Sequence, residues 1–241
     1  MRKSRMVYAI ASVAICAMVV TCSKKNGSTA NPVTPPDQSF GDVILSEGFE
    51  GDSTYLDSNN YRQINYDPSQ GMMSISTQYA HSGKSSLTSD SNNTSIKRGI
   101  SPSIGDSIAG LQFYLMATKL AHTNSFAAIC KPGSSSDGLI TKFGMGIDKS
   151  DSLKYICYDY LNGINEYINF APLTLNKWYK CKIEYDYSDT TLTYFLDNDT
   201  VYTRTTPSTI TSFQTFVAIR DGLGAQGPSG YYIDDVIIYK R

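Results

Sequence analysis

The chain is poor in the residues that most catalytic chemistry needs. It has two histidines, His81 and His122, and one tryptophan, Trp178, in 241 residues. A hydrolytic triad requires an imidazole held between a nucleophile and a carboxylate. Both histidines stand alone, and no GxSxG, HExxH or clustered-histidine pattern occurs. Lysine and arginine number 21 against 22 acidic residues and form no cluster. That excludes the dense cationic surface that displaces counterions from nucleic acid. Beyond the first 21 residues no stretch shows the apolar period of an amphipathic helix. Cysteine is scarce too: after Cys22 only Cys130, Cys157 and Cys181 remain, an odd number that cannot all pair and whose spacing fits no zinc site. Each lies in an apolar, strand-like run, so small core residues are expected. A Cys157–Cys181 disulfide is the one pairing left open in an oxidising compartment.

What is present begins with an export signal. The start is basic, Met6 to Val20 is apolar, and the exit is small; the apolar part is too short for a good spanning helix, which takes about 20 residues. Val19-Val20-Thr21-Cys22 resembles a lipobox, with Thr21 where Gly, Ala or Ser is usual. Residues 1–21 are therefore read as a lipoprotein signal peptide and Cys22 as the lipidation site. Acyl chains on one cysteine hold a protein on a membrane without a transmembrane segment, so the expected address is the bacterial cell envelope, at the outer membrane. Residues 22–40 are polar and rich in Pro, Ser and Asn, the composition of a flexible linker. The formal charge of −1 includes Arg2, Lys3 and Arg5, so the exported chain carries about −4.

Residues 41–241 read as one all-β domain. Apolar runs alternate with Gly, Asn and Asp turns, and the period is two. From Tyr179 to Asp186, Tyr179, Cys181, Ile183 and Tyr185 share one face while Lys180, Lys182, Glu184 and Asp186 share the other, so one face is core and the other wet. A polar connection, Tyr187 to Thr191, leads to Leu192–Leu196 as a hairpin. About a dozen such runs imply two packed antiparallel sheets.

Three motifs, Glu47-Gly48-Phe49-Glu50, Ala80-His81-Ser82-Gly83-Lys84-Ser85-Ser86-Leu87 and Tyr231-Tyr232-Ile233-Asp234-Asp235-Val236, together resemble bacterial concanavalin A-like (laminin G-like) jelly rolls of the kind found in carbohydrate-binding modules. The Trp178–Asp199 hairpin matches the same pattern, and the similarity covers residues 41–241. The galactose-binding-like jelly roll shares these elements and is the alternative topology. The resemblance implies that the first and last strands meet and share a structural calcium, held here by Glu50, carbonyls from Ser82 to Lys84, and Asp234 or Asp235. Ca²⁺ takes six to eight oxygen ligands, which mixed carboxylates and carbonyls supply. Strict alternation along the last strand would turn either Asp234 or Asp235 toward an apolar layer, which is costly unless the carboxylate is bonded or metal-bound. The metal-free alternative is that Asp234 accepts N–H bonds from the His81–Lys84 turn.

Function follows less directly. Glycoside hydrolases on this fold pair carboxylates on one strand, and Glu184 and Asp186 share a face, but Asp189 stands where the last catalytic Glu would be and lysines line the same face. A polysaccharide lyase needs a charge neutraliser and a base, roles open to Arg220, Lys142 and tyrosines, yet Gln63-Ile64-Asn65 lacks the histidine of the matching lyase motif. The leading expectation is glycan or polysaccharide binding. Sugars stack on aromatic faces while amides and guanidinium groups take their hydroxyls, and Tyr158, Tyr160, Tyr167, Asn169 and Arg220 lie on central strands suited to this. Trp178 is expected to be a packing residue. A structural or partner-binding surface lipoprotein is the remaining class.

Overall fold

The computed structural model describes residues 40–64, 72–89, 94–105, 107–119, 123–130, 139–147, 153–159, 164–168, 173–206, 213–222 and 230–241. The signal peptide, Cys22 and almost all of the linker lie outside the described residues, as do Tyr160 and Asn169. All described residues belong to the unit Pro36–Arg241.

Two antiparallel sheets form the domain. The first runs in the order β13 (Asp199–Thr205), β12 (Thr191–Leu196), β11 (Tyr179–Asp186), β6 (Ile108–Ala117), β15 (Tyr231–Lys240), β4 (Ser86–Ser89) and β3 (Met73–Ser76), with β1 (Asp42–Glu47) also paired to β15. The second runs β10 (Ile164–Ile168), β9 (Leu153–Asp159), β8 (Leu139–Ile147), β7 (Thr123–Cys130), β14 (Phe213–Gly222), β5 (Thr94–Ile104) and β2 (Arg62–Ile64). A single helical turn, α1, spans Tyr55–Ser58.

The apolar face expected of β11 is the core face, while the opposite face, expected to be wet, buries Lys182 and Glu184 and leaves Lys180 and Asp186 half-buried. Cys181 and Ile183 lie opposite Phe113 and Leu111 of β6 and opposite Leu196 and Tyr194 of β12, and all six are buried. Each such side chain is worth about 1.5–3 kcal/mol when fully buried. The facing layer comes from the second sheet: Ile96, Ile104, Phe143, Met145 and Phe213. Aromatic pairs join the layers, with the Phe143 and Tyr194 rings 5.6 Å apart and Tyr185 and Phe213 5.7 Å apart. Cys181 is free and fully buried, so the Cys157–Cys181 disulfide is not made, and burial pushes the thiol well up.

Two features depart from the sequence reading. β5 is a long strand in the sequence TSIKRGISPSI, where Gly99 and Pro102 argue against a strand. Pro102 falls between the Ile104–Phe213 and Gly99–Thr215 pairings, in a stretch where the register to β14 shifts, so its missing N–H breaks no ladder bond. The other departure is in β15. Asp234 pairs with Tyr114 and Ile237 with Gln112, so β15 carries one residue more than β6 and forms a β-bulge. Asp235 takes φ of 46° there, a left-handed conformation that Asp tolerates better than most residues. The bulge shifts the alternation by one, so that Tyr231, Ile233, Val236 and Ile238 all enter the core. Strict alternation would have forced one aspartate inward, and that expectation is corrected: the extra residue absorbs the pair.

Candidate functional site

The bulge lies where β15 changes neighbours. Its first half pairs with β4 through Tyr232 and Ile233, its second half with β1 from Val236 onward. Between those two pairings the edge of β15 is closed by the segments that leave β1 and enter β4, which bring the three sequence motifs together.

Carboxylates hold this junction. Asp234 is wholly buried; its Oδ2 accepts the backbone N–H of His81 at 2.7 Å and of Ser82 at 3.3 Å, and its Oδ1 accepts that of Asp235 at 2.8 Å. Asp235 accepts the Ser82 hydroxyl at 2.6 Å and pairs with His81 Nδ1 at 2.6 Å. Glu50 accepts the Lys84 N–H at 2.9 Å and the Ser85 N–H at 3.3 Å. Gly83 sits between them at φ of 62°, and a Cβ there would overlap the Glu50 carboxylate, so the turn requires glycine on two counts. Burial, with the neighbouring Asp235 charge, pushes Asp234 up to about 7 against the pull of its three N–H donors. Burial would raise Asp235 as well, but the His81 and Ser82 bonds outweigh it and hold its carboxyl below the usual range.

Glu50, Ser82, Lys84, Asp234 and Asp235 are thus neighbours, as the resemblance implied. Glu50 and Asp234 each accept backbone N–H groups of the 81–85 segment, the contacts that the metal-free closure calls for.

A fourth carboxylate, unassigned by the sequence reading, braces the junction. Glu47 is buried and takes bonds from the Phe49 N–H (2.8 Å), Tyr55 hydroxyl (2.6 Å), Tyr61 hydroxyl (3.1 Å) and Arg98 Nη1 (3.0 Å). Burial first, then Glu47, pushes Tyr55 up to about 12. Arg98 belongs to β5, so this network ties the two sheets. It also holds Phe49 at φ of 52°, a strained value for a bulky residue. Its sequence signal was an acidic residue at the end of β1, in phase with the apolar Leu45 and Phe49 on either side.

On the outer face of the first sheet, His81 lies flat on Tyr114, with ring centroids 3.5 Å apart and planes 15° from parallel, and meets Trp178 nearly edge-on at 5.7 Å. Farther along the same face Glu184 is engaged by the Tyr239 hydroxyl, by Arg241 at 3.0 Å and by Lys182 at 3.3 Å. Asp186 caps its own turn through Ser188. The strand pair Glu184 and Asp186 is thereby occupied with structural bonds.

Of the expected sugar-binding residues, Tyr158 is opposite Lys142 and Asn165, and Tyr167 opposite Ile156. Both share a register row alternating with the buried Phe143 and Met145. Arg220 pairs with Ser125, which pairs with Met145, so its register row is the other one. The backbone therefore groups the two tyrosines and separates Arg220 from them.

No family model and no curated protein matches the chain. Solved structures do. The globular domain of T. cruzi calreticulin superposes with a TM-score of 0.62 at 10% identity, over 83% of this chain and 88% of that one. The carbohydrate recognition domain of Emp46p, in potassium-bound form, gives 0.53 at 12%, over 84% and 98%. Domain 4 of AbnA, a GH43 extracellular arabinanase from Geobacillus stearothermophilus in complex with arabinotriose, gives 0.52 at 12%, over 83% and 92%. At such identities the likeness speaks for the fold: this chain is an all-β antiparallel sandwich of concanavalin A-like, jelly-roll topology.

Proposed function

We propose that the protein is a lipid-anchored envelope protein whose sandwich domain binds a glycan or polysaccharide. The observation that carries this reading is the fold, shared over more than four-fifths of the chain with the Emp46p carbohydrate recognition domain and the arabinotriose-bound AbnA domain. The carboxylate junction supports it indirectly, by closing the two termini of the sandwich into one rigid frame on which a surface site keeps its shape. Cys22 is the anchor in this reading, and residues 22–40 the tether between membrane and domain.

The test is a glycan array probed with the full chain purified in detergent. Retention on at least one polysaccharide, competed by the same soluble glycan, is expected; uniform absence of binding would sink the proposal. Following unsaturated uronate absorbance on the bound polysaccharides separates binding from lyase chemistry.

A further inference from the structure

Given the glycan binding proposed above, the face that meets the sugar is set by the side chains it carries. We propose that the outer face of the first sheet, at Trp178, His81 and Tyr114, is a saccharide-stacking site for one sugar ring of the bound chain.

Stacking a sugar requires a broad ring face that the protein has not already used and that does not move. His81 supplies the rigidity. Its backbone N–H is held by Asp234, its Nδ1 by Asp235 at 2.6 Å, and its ring by Tyr114 beneath it. Even so, 30% of its side chain stays exposed. Trp178 meets it with the planes 75° apart. In a T-shaped pair one ring gives its edge and the other its face. If the indole gives its edge, both indole faces stay outside the contact; if the imidazole gives its edge, its own outer face stays free. Either way an inside corner of two rings remains, one wall of which is a ring face that the other ring does not use. Trp178 and Tyr114 are each partly exposed, so this corner opens to solvent.

The polar partners a sugar needs stand beside it. Lys180 lies opposite Tyr114 in register, and its Nζ donates to Asn198 Oδ1 at 2.6 Å. That leaves two ammonium donors and the Asn198 amide N–H groups for hydroxyls. The second ring nitrogen of His81, Nε2, is left for a hydroxyl. Polar groups thus flank an apolar corner, the pattern of a saccharide site. Two of the three contacts that lock it come from the carboxylate junction, which gives the partly exposed imidazole a reason to be fixed so firmly.

Trp178 is the chain's single tryptophan, so its emission reports on this corner and no other place. The experiment titrates the full chain, in detergent, with arabinan, xylan, laminarin, pectin and alginate, reading binding by affinity electrophoresis and Trp178 emission together. For whichever polysaccharide binds, a saturable emission shift is expected, and Trp178→Ala is expected to weaken binding about ten-fold or more, the equivalent of about 1.4 kcal/mol, with Trp178→Phe recovering part of it. Tyr158→Ala, on the second sheet, should leave binding intact. Melting curves accompany each variant; if Trp178→Ala lowers the melting temperature yet binds as tightly as the parent, Trp178 is packing alone and the inference fails. Binding without an emission shift, lost on Tyr158→Ala, overturns this site while leaving glycan binding standing. Failure of every polysaccharide to bind here and on the array overturns both.

Discussion

Asp234 shows how a single buried carboxylate sets the pH response of this domain. Its proton is bound more tightly in the folded protein than in the unfolded chain, because burial and the Asp235 charge push it up to about 7. A group raised in this way contributes fully to stability below the ordinary carboxylate range, and the contribution is lost as pH rises toward 7. Asp235 has the opposite sign: its carboxyl is held low by His81 and Ser82, so its contribution is present above the ordinary range and lost as pH falls through it. Urea unfolding at pH 5 and pH 8 checks this. The parent should lose stability between the two, and Asp235→Asn, which keeps an acceptor for Ser82 and tolerates positive φ but removes the neighbouring charge, should lose less. An unchanged difference would remove Asp235 from the account. The sequence showed that the three motifs belong together; it did not show which oxygen meets which N–H. That depended on the bulge, whose only sequence trace is two adjacent aspartates in a strand.

Elements in this fold are tuned by what lies across them. The Tyr239 ring passes over Gly110 of β6 to reach Glu184 of β11, and a Cβ on Gly110 would overlap that ring. Gly110→Ala therefore forces the ring off, strands the Glu184 carboxylate with Arg241 and Lys182, and should cost about 1–3 kcal/mol in chemical denaturation, the scale of overpacking. Gly99→Ala in β5 is the control. Nothing lies within 4 Å of a Cβ there, and stability should change by no more than about 0.5 kcal/mol. Equal effects at the two glycines would count against the Tyr239 crossing. The strands of the hairpin from Tyr179 to Leu196 were legible because one face is strictly apolar. β5 and the three-residue β2 were not, because Gly99, Pro102 and several serines weaken the period of β5 and β2 is too short to show one; the pairing of β5 with β14 and of β2 with β5 supplies the order that local propensity does not.

At the scale of the whole molecule, the two ends of the domain meet as neighbouring strands, β1 on β15, and the junction beside them is closed by protein donors. Melting the full chain in millimolar calcium and in EGTA should therefore give coincident curves. A stabilisation by calcium of more than about 3 °C, roughly 1 kcal/mol for a domain of this size, would mean that the Glu50 and Asp234 carboxylates turn from N–H groups toward a cation. The anticipated sugar residues illustrate a different limit. Tyr158 and Tyr167 share a register row, but Arg220 does not, because a residue's face depends on pairing across β7, β8 and β14 and on every bulge between, which no single strand reveals.

Alternation of apolar and polar residues, a property of each strand alone, determined that this chain forms a two-sheet sandwich, and the three short motifs determined that its ends would meet. Only the tertiary structure decided how the paired aspartates are accommodated, that Glu47 ties the sheets through Arg98, and that the one tryptophan stands against an imidazole locked in place. Those features arise from residues far apart in the chain, such as His81 and Asp235, whose contact depends on the bulge that β15 makes against β6.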